Sequence, residues 1–289
     1  MRKRVLVIGK TGQLGLSIAK LARYYPQYEF TFVGRDVLDL SQSNNITGYF
    51  QSKKYDVIIN CAAYTEVDKA ESEPELANQI NHLAVRQLAE IAKEQGAVLI
   101  HISTDYVFNG QNHKPYVETD CVDPINVYGQ TKLKGEEVIL DVQPKGVILR
   151  TSWLYSEFGN NFVKTMLRLG EERDSLNVIY DQVGSPTYAG DLAKAVVDII
   201  SSDIEFSGVV SEIYQYSNEG ICSWYDFAKI IFELRNINCN VNPIETKNYP
   251  KPAKRAHYSV LNKQKIKQHY KFEIPYWQES LGICLRKLL

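Results

Sequence analysis

The sequence lacks the features of a secreted, zinc-binding or membrane-spanning protein. Its five cysteines are widely scattered and form no C-x-x-C pair, so we expect neither a disulfide framework nor a zinc site, and a reducing cytoplasm fits best. No stretch approaches the ~20 apolar residues that a membrane span needs. Residues 1–4 resemble the basic start of a signal peptide, but the apolar stretch that follows ends at Lys10 and is too short for one.

The sequence also lacks a dominant charge. A net charge of −1, with 44% hydrophobic and 23% charged residues, is ordinary for a globular protein and gives no reason to expect a nucleic-acid or membrane partner. The five histidines show no metal-ligand spacing, and we expect no metal site from them. They are His82, His101, His113, His257 and His269. The 289 residues can form one large domain or two coupled ones.

The first half of the chain alternates apolar, strand-like runs with helix-like stretches. Strands are predicted at residues 4–8, 29–34, 56–60, 97–102 and 146–150. Helices are predicted at residues 13–24, 42–53, 74–95 and 126–142. Continuous apolar strands between helices indicate an α/β fold with a doubly wound, Rossmann-like parallel sheet. Ligands of such sheets bind at the carboxyl ends of the strands.

The alternation becomes irregular after about residue 150. We expect residues 1–150 to form a dinucleotide-binding domain and residues 151–289 to form a smaller substrate-binding lobe. The segment 176–201, a strand followed by a helix, is expected to rejoin the first domain. No flexible linker separates the two parts, so the sequence predicts one compact unit with a cleft.

Three glycines follow the first predicted strand and precede the first predicted helix. Their G-x-x-G-x-x-G spacing predicts a dinucleotide site, with a tight turn at Gly9, close approach of the backbone to a pyrophosphate at Gly12, and close helix packing at Gly15. The anion would rest on the amides at the start of the helix. The alternative is a glycine-rich turn that binds nothing.

Tyr128 and Lys132 are four residues apart in a predicted helix, which places both on one face. A free tyrosine titrates near ~10. A cation about 4 Å away is worth roughly 4 kcal/mol at an effective dielectric of 20, enough to lower that pKa by up to about three units. Burial opposes this shift. The alternative is an exposed pair on a solvated face, which contributes a fraction of a kcal/mol.

Thr104 lies at the end of a predicted strand, 24 residues before Tyr128. Its hydroxyl can donate to a carbonyl oxygen while Tyr128 delivers a proton to the same atom. Both interactions strengthen as hydride arrives at carbon and charge collects on oxygen. The alternative is a strand-end hydroxyl that caps the local backbone, which is the more common role for such a residue.

These glycines, together with Thr104, Tyr128 and Lys132, resemble the signature of the extended short-chain dehydrogenases/reductases. Within that family the chain is similar to the dTDP-4-dehydrorhamnose reductases over residues 5 to about 192. The runs at residues 103–108 and 182–187 are fairly specific to them. The matching segments are residues 9–15, 60–65, 67–71, 103–108, 126–136, 150–155, 160–163 and 181–187.

The resemblance implies hydride transfer from a reduced nicotinamide to the C4 ketone of dTDP-4-dehydro-L-rhamnose, in rhamnose and cell-surface polysaccharide biosynthesis. By the family's pattern, Tyr128 donates the proton, Thr104 polarises the ketone, and Lys132 positions the cofactor ribose and the tyrosine. The residues that would line the cofactor are Gly9, Thr11, Gly12, Gln13, Leu14, Gly15, Asp39, Leu40, Ala62, Ala63 and Thr65. Those that would face the sugar or nucleotide are Asp105, Tyr106 and Trp153, although Trp153 suits a core position equally well.

The end of the second predicted strand bears on the choice of cofactor. An NAD-selective fold usually has an acidic residue there, which accepts from the ribose 2′-OH. This chain has Gly34-Arg35-Asp36. Arg35 can pair with a 2′-phosphate and favours NADPH, whereas Asp36 leaves NADH open.

Residues 246–272 contain eight Lys or Arg and no Asp or Glu. A diphosphate needs a fixed cationic partner, and arginine is the better bidentate one. The segment 254–261 resembles the family's Arg-Pro…Ser-x-Leu segment, which makes Arg255 the candidate. Ala256 stands where the family usually has proline.

Two other functions fit the same motifs. One is a reductase or epimerase of another nucleotide-linked deoxysugar. The other is a non-catalytic, cofactor-binding regulatory subunit, since the regulatory subunit of methionine adenosyltransferase resembles this fold and family. The intact Thr104, Tyr128 and Lys132 set favours catalysis. The resemblance also implies a homodimer, in some relatives with Mg²⁺ at its interface, although the sequence shows no ligand cluster for that ion.

Overall fold

A sheet of six parallel strands forms the centre of the computed structural model, which describes residues 2–202 and 211–288. The strands are β1 Lys3–Ile8, β2 Tyr28–Val33, β3 Val57–Asn60, β4 Val98–Thr104, β5 Gly146–Thr151 and β10 Glu212–Gln215. Their order is β2-β1-β3-β4-β5-β10, and every neighbouring pair is parallel. The strand order reverses between β1 and β3, where ligands of such sheets bind.

Helices cover both faces of this sheet. They are α1 Gln13–Ala22, α2 Ser43–Phe50, α3 Val67–Ala70, α4 Pro74–Asn78, α5 Ala84–Gln95, α6 Val127–Val142 and α8 Ala189–Ser201. One buried cluster joins the sheet to α2, α5 and α6, for example through Leu6, Leu88 and Ile139. A second cluster joins the opposite face to α1 and α8 through residues such as Ile18 and Val196. The central strands β1, β3, β4 and β5 each contain a buried apolar run, because helices cover both faces of the sheet.

Most of the remaining elements pack around a third cluster, which includes Phe227 and Trp277. The remaining elements are β6 Leu154–Tyr155, α7 Phe162–Glu172, β7 Ser175–Ile179, β8 Val183–Gly184, β9 Thr187–Tyr188, β11 Cys222–Ser223, α9 Trp224–Arg235, β12 Asn240–Ile244, α10 Gln264–Tyr270 and α11 Trp277–Arg286. Of these, α10 packs on the second cluster through Ile266. The short strands pair as β6 with β9, β7 with β12 and β8 with β11. In the described residues, none of the helices has the length and apolarity needed to cross a bilayer.

The structure confirms the predicted doubly wound parallel sheet and all five predicted strands within two residues. The helix predicted at 74–95 is interrupted, because the π-helical turn Gln79–Leu83 separates α4 from α5. Asn81 in this turn is buried, and its amide accepts from the backbone of Tyr64 and donates to Thr131 of α6. The interruption therefore fastens the loop after β3 to α6.

The segment 176–201 divides between two surroundings. Its helix, α8, packs against α1 on the sheet, whereas its strand, β7, pairs with β12 outside the sheet. The strand that extends the sheet beyond β5 is β10, which the sequence pattern does not predict. Residues 203–210 and 289 of the predicted substrate-binding lobe lie outside the described residues.

Candidate active site

The turn after β1 requires glycine at two positions. Gly9 has a φ of +94°, and a Cβ there would lie 3.0 Å from the backbone nitrogen of Ala62. A Cβ on Gly15 would lie 2.2 Å from the carbonyl oxygen of Gly9. The sharp turn and the close approach of α1 to it therefore both depend on missing side chains. They also bring the turn against the loop that follows β3.

The start of α1 is suited to an anion. Gly12 caps the helix in an extended conformation and has no side chain to bind the first amides. Thr11 and Gly12 are exposed, so these amides remain open to a phosphate group. The side chains of the next two residues are engaged elsewhere: Gln13 binds Ser156 and Asn161, and Leu14 is in the core. Gln13 and Leu14 can therefore serve a cofactor through their backbone amides.

Lys10, in the turn after β1, extends its side chain to the end of β2, where the predicted Arg35 also lies. Lys10 Nζ donates to Asp36 Oδ2 at 2.8 Å, and this bond lowers the pKa of the Asp36 carboxyl. Arg35 is 75% exposed, with its Nε 3.9 Å from Asp39 Oδ1. The sequence analysis does not single out Lys10, because only the fold brings it to Asp36. Lys10 is already paired with Asp36, whereas the contact of Arg35 with Asp39 is longer. The exposed guanidinium of Arg35 is therefore the cation more available to a ribose phosphate.

The other predicted cofactor residues have mixed surroundings. Asp39 Oδ1 accepts from the backbone and hydroxyl of Ser41, and Leu40 is buried in the core. Ala62 and Ala63 are half-buried and Thr65 is exposed, all in the loop after β3. The two alanines thus lie at the point where the strand order reverses, whereas Asp39 and Leu40 also stabilise the turn after β2.

The start of α6 places Tyr128 against the turn after β4. Asn126 caps the helix by accepting from the Gly129 backbone nitrogen at 2.8 Å. A Cβ on Gly129 would lie 2.2 Å from the carbonyl oxygen of Tyr106, so only glycine allows this approach. The rings of Tyr106 and Tyr128 meet edge to face with centroids 5.3 Å apart. Tyr128 is 9% exposed.

The hydroxyl of Thr104 has a local structural role as well as a place in the site. Its Oγ1 accepts from the backbone nitrogen of Tyr106 at 3.2 Å and donates to Asp105 Oδ1 at 3.1 Å. The capping role weighed in the sequence analysis is therefore present. Thr104 is joined to Tyr128 through Tyr106, whose backbone nitrogen donates to Thr104 Oγ1 and whose ring packs edge to face on Tyr128.

Lys132 is directed toward β4. Its Nζ donates to the Ile102 carbonyl oxygen at 2.6 Å and lies 3.3 Å from His101 Nε2. Burial lowers the pKa of Lys132 to about 8 and raises the pKa of Tyr128 above its ordinary value. The expectation that Lys132 lowers the pKa of Tyr128 is therefore wrong for this structure, since burial is the largest cause of the upward shift and Lys132 donates its hydrogen bond to β4.

A cleft of about 770 Å³ opens beside this buried group. It is lined by all four predicted substrate residues, Asp105, Tyr106, Trp153 and Arg255. Asp105 and Tyr106 connect the cleft to Thr104 and Tyr128. Burial raises the pKa of the Asp105 carboxyl to about 6.

Two further cleft residues were missed by the sequence analysis. Trp224 stacks on Trp153 with ring centroids 3.5 Å apart, and Trp153 adopts a φ of +47° to reach it. Asp68 holds Arg255 through two hydrogen bonds of 2.9 Å. Trp224 directly follows Ser223, the first residue of a capping box, so its position at a helix start is visible in the sequence although its stacking is not.

Outside residues 203–210 and the two terminal residues, no group of three or more His, Cys, Asp or Glu side chains is arranged to hold a metal ion. The five cysteines are all free thiols. The candidate site therefore consists of the glycine turn, the buried group and the cleft.

Comparisons with known proteins identify the family of this chain. The model of the RmlD substrate binding domain family matches residues 2–289. The chain is 43% identical to the dTDP-4-dehydrorhamnose reductase of Aggregatibacter actinomycetemcomitans, covering 96% of this chain and 97% of the relative. It is 41% identical to that of Escherichia coli K12, covering 98% and 97%.

A solved structure with the same overall shape carries a bound nucleotide. The dTDP-4-dehydrorhamnose reductase of Bacillus anthracis, crystallised in complex with NADP, superimposes with a TM-score of 0.93 at 38% identity, covering 99% of this chain and 100% of that one. These findings confirm the resemblance drawn from the motifs. The chain belongs to the RmlD substrate binding domain family.

Proposed function

We propose that this chain reduces the C4 ketone of dTDP-4-dehydro-L-rhamnose to dTDP-L-rhamnose with NADPH as the hydride source. The observation that carries the proposal is the buried group of Tyr128 and Thr104 beside a cleft that contains the predicted substrate residues. Similarity to dTDP-4-dehydrorhamnose reductases over nearly the whole chain supports the substrate.

The proposed roles follow from the chemistry of each side chain. NADPH, when bound, supplies the hydride. Tyr128 donates its proton to the ketone oxygen as charge develops there, and Thr104 donates a hydrogen bond to the same oxygen. Thr104 must then turn its hydroxyl away from Asp105, which accepts it in this structure. The ammonium of Lys132 offsets the negative charge left on Tyr128.

The residues that are present fit NADPH. The pyrophosphate would rest on the open amides at the start of α1, where Gly12 leaves room for it. Arg35 would pair with the 2′-phosphate, because it is exposed and its ion pair with Asp39 is long. NADH is the alternative cofactor. Asp36 would accept from the ribose 2′-OH of NADH, but it already accepts from Lys10.

The cleft would hold the nucleotide sugar. Trp153 offers a flat apolar surface to the sugar or base, and its stacking on Trp224 fixes the ring plane. Arg255 would bind the diphosphate, although both of its terminal nitrogens donate hydrogen bonds to Asp68 here. Substrate binding would then have to share or displace this ion pair. Most of the cleft lining comes from beyond residue 150, consistent with a substrate-binding lobe at 151–289 beside a dinucleotide-binding domain at 1–150.

The test is NADPH oxidation, followed by absorbance, with a panel of 4-keto sugars on different nucleotide bases. The proposal expects turnover with dTDP-4-dehydro-L-rhamnose above all other substrates. Preference for another base or sugar would identify a different nucleotide-sugar reductase. Cofactor binding without turnover of any substrate would favour a regulatory subunit.

We also propose a cytoplasmic homodimer. Five free thiols suit a reducing compartment, and the dimer follows from the family resemblance. Sedimentation equilibrium at several protein concentrations tests the dimer, with and without added Mg²⁺. A monomer under all conditions would contradict it.

A further inference from the structure

His101 has no role in the proposed reaction, yet it lies against Lys132. Its Nε2 is 3.3 Å from Lys132 Nζ, and the two residues are 0% and 1% exposed. Because both groups are buried, a donor or acceptor left without a partner would cost free energy. The hydrogen-bond partners therefore determine which nitrogen atoms carry protons.

Asn60 determines which nitrogen of His101 carries the proton. Asn60 Oδ1 accepts from the backbone nitrogen of Ala62 at 3.1 Å, and a backbone amide can only donate. The Nδ2 group of Asn60 therefore faces His101 Nδ1, at 3.2 Å. Since Nδ2 is a donor, Nδ1 is the acceptor, and the neutral ring carries its proton on Nε2.

The proton on Nε2 points at Lys132. An ammonium has three donors and no acceptor, so it cannot accept from His101. An uncharged amine can, while it still donates to the Ile102 carbonyl oxygen at 2.6 Å. The hydrogen-bond pattern is thus complete only when Lys132 is uncharged.

We propose that His101 is a positioning residue whose Nε2–H favours the uncharged amine of Lys132. The consequence for catalysis rests on the proposed function. Lys132 offsets the charge on Tyr128 only as an ammonium, so the rate should fall as pH rises and Lys132 loses its proton. His101 would bring this loss to a lower pH than burial alone does.

The electrostatics of both groups agree with this arrangement. Burial lowers the pKa of Lys132 to about 8, although the carboxylate of Glu136 acts in the opposite direction. Burial first, and the charge of Lys132 second, hold the pKa of His101 well below its ordinary value. The ring therefore stays neutral across the range in which Lys132 titrates.

The charged groups packed near Lys132 and α6 also have partners of their own. Glu136 is itself paired with Arg150 of β5 at 2.7 Å. Asp105, in the turn after β4, acts on Tyr128. On the elements beside α6, His82 faces Lys134 and Arg86. Arg86 pairs with Asp141, and Asp68 pairs with Arg255.

The first test uses the whole unmodified protein without substrate. Nitrogen NMR of ¹⁵N-histidine-labelled protein reports the tautomer of each ring, and ¹⁵N-lysine labelling reports the titration of Lys132, with Lys132→Arg to assign its signal. We expect the Nε2–H tautomer for His101 and a Lys132 midpoint of about 8. The Nδ1–H tautomer, or a midpoint at the ordinary lysine value, would overturn the inference.

The second test replaces His101 with asparagine, whose side-chain oxygen can still accept from Asn60 while the Nε2–H is lost. We expect the Lys132 midpoint and the alkaline limb of kcat/KM to move upward together by about half to one pH unit. The matched control is His82→Asn on the π-helical turn, which should move neither. An unchanged Lys132 midpoint in folded His101→Asn protein contradicts the inference. Failure of the proposed function would instead appear as absent turnover in the unmodified protein, with both NMR results intact.

Discussion

The glycine turn after β1 and the buried group around Tyr128 are built in opposite ways. At the turn, Thr11 and Gly12 are exposed and the working groups are backbone amides. Around Tyr128, the working groups are side chains with almost no exposure, and Lys132 is 1% exposed. The turn depends on glycines that have no side chain, whereas the group around Tyr128 depends on the burial of its titratable side chains.

This difference has an electrostatic consequence. Charges near the turn, such as Lys10 and Arg35, remain solvated, and their strength is limited by water and salt. At the buried end, removal from water shifts the pKa of Tyr128 upward and that of Lys132 downward. In the proposed reaction, the turn would mainly set the strength of cofactor binding and the buried group would carry the proton transfer.

The comparison is tested most strongly by removing the phenol oxygen. Tyr128→Phe should lower kcat at least ~100-fold, because the proton donor is lost. The dissociation constant for NADPH, measured by fluorescence titration, should stay within about twofold because the turn is unchanged. The control is Tyr49→Phe, a buried tyrosine on α2, which should keep normal turnover. Near-normal kcat in Tyr128→Phe would discard the assignment.

A methyl group added at the turn should reduce the stability of the protein and its affinity for NADPH. Gly15→Ala places a Cβ 2.2 Å from the Gly9 carbonyl oxygen, so we expect a loss of about 1–3 kcal/mol in unfolding free energy and weaker NADPH binding. Gly48→Ala is the matched control, since nothing lies within 4 Å of its Cβ in α2. It should be neutral or stabilise by about 0.5–1 kcal/mol. Urea unfolding of both variants provides the comparison, and equal stabilities would refute the packing argument.

The smallest expected effect is at the exposed Arg35. Arg35→Ala should weaken NADPH binding about tenfold and NADH binding much less, because only NADPH has the 2′-phosphate. Arg23→Ala, another exposed arginine at the end of α1, should change neither. Isothermal titration with both cofactors decides this, and equal losses would show that Arg35 does not bind the phosphate.

The part of the fold predicted from sequence is the part with strong patterns. Strands β1, β3, β4 and β5 each contain a run of buried apolar residues, which indicates their positions. The edge strand β10 has the sequence Glu-Ile-Tyr-Gln, which has no such run, and it was missed. The π-helical turn was also missed, because a helix with one extra residue in a turn keeps nearly the same apolar pattern.

The site shows the same limit. Residue types and spacing pointed to Gly9, Tyr128 and the cleft residues, and the fold brings the four substrate candidates together. Lys10 at Asp36 and Trp224 at Trp153 depend on contacts between distant segments, which spacing does not contain. The predicted direction of the Tyr128 pKa shift is wrong, because the shift comes mainly from burial, a property of the whole fold, and the fold directs Lys132 to the Ile102 carbonyl oxygen instead.

The most direct test is an NMR titration of Tyr128 in protein labelled with ¹³C at the tyrosine Cζ, with Tyr128→Phe to assign the signal. If burial dominates the proton-transfer end, Tyr128 stays protonated beyond the ordinary tyrosine pKa of ~10. A midpoint below that value would show instead that the Lys132 ammonium controls the phenol, and the account of the buried end would be contradicted.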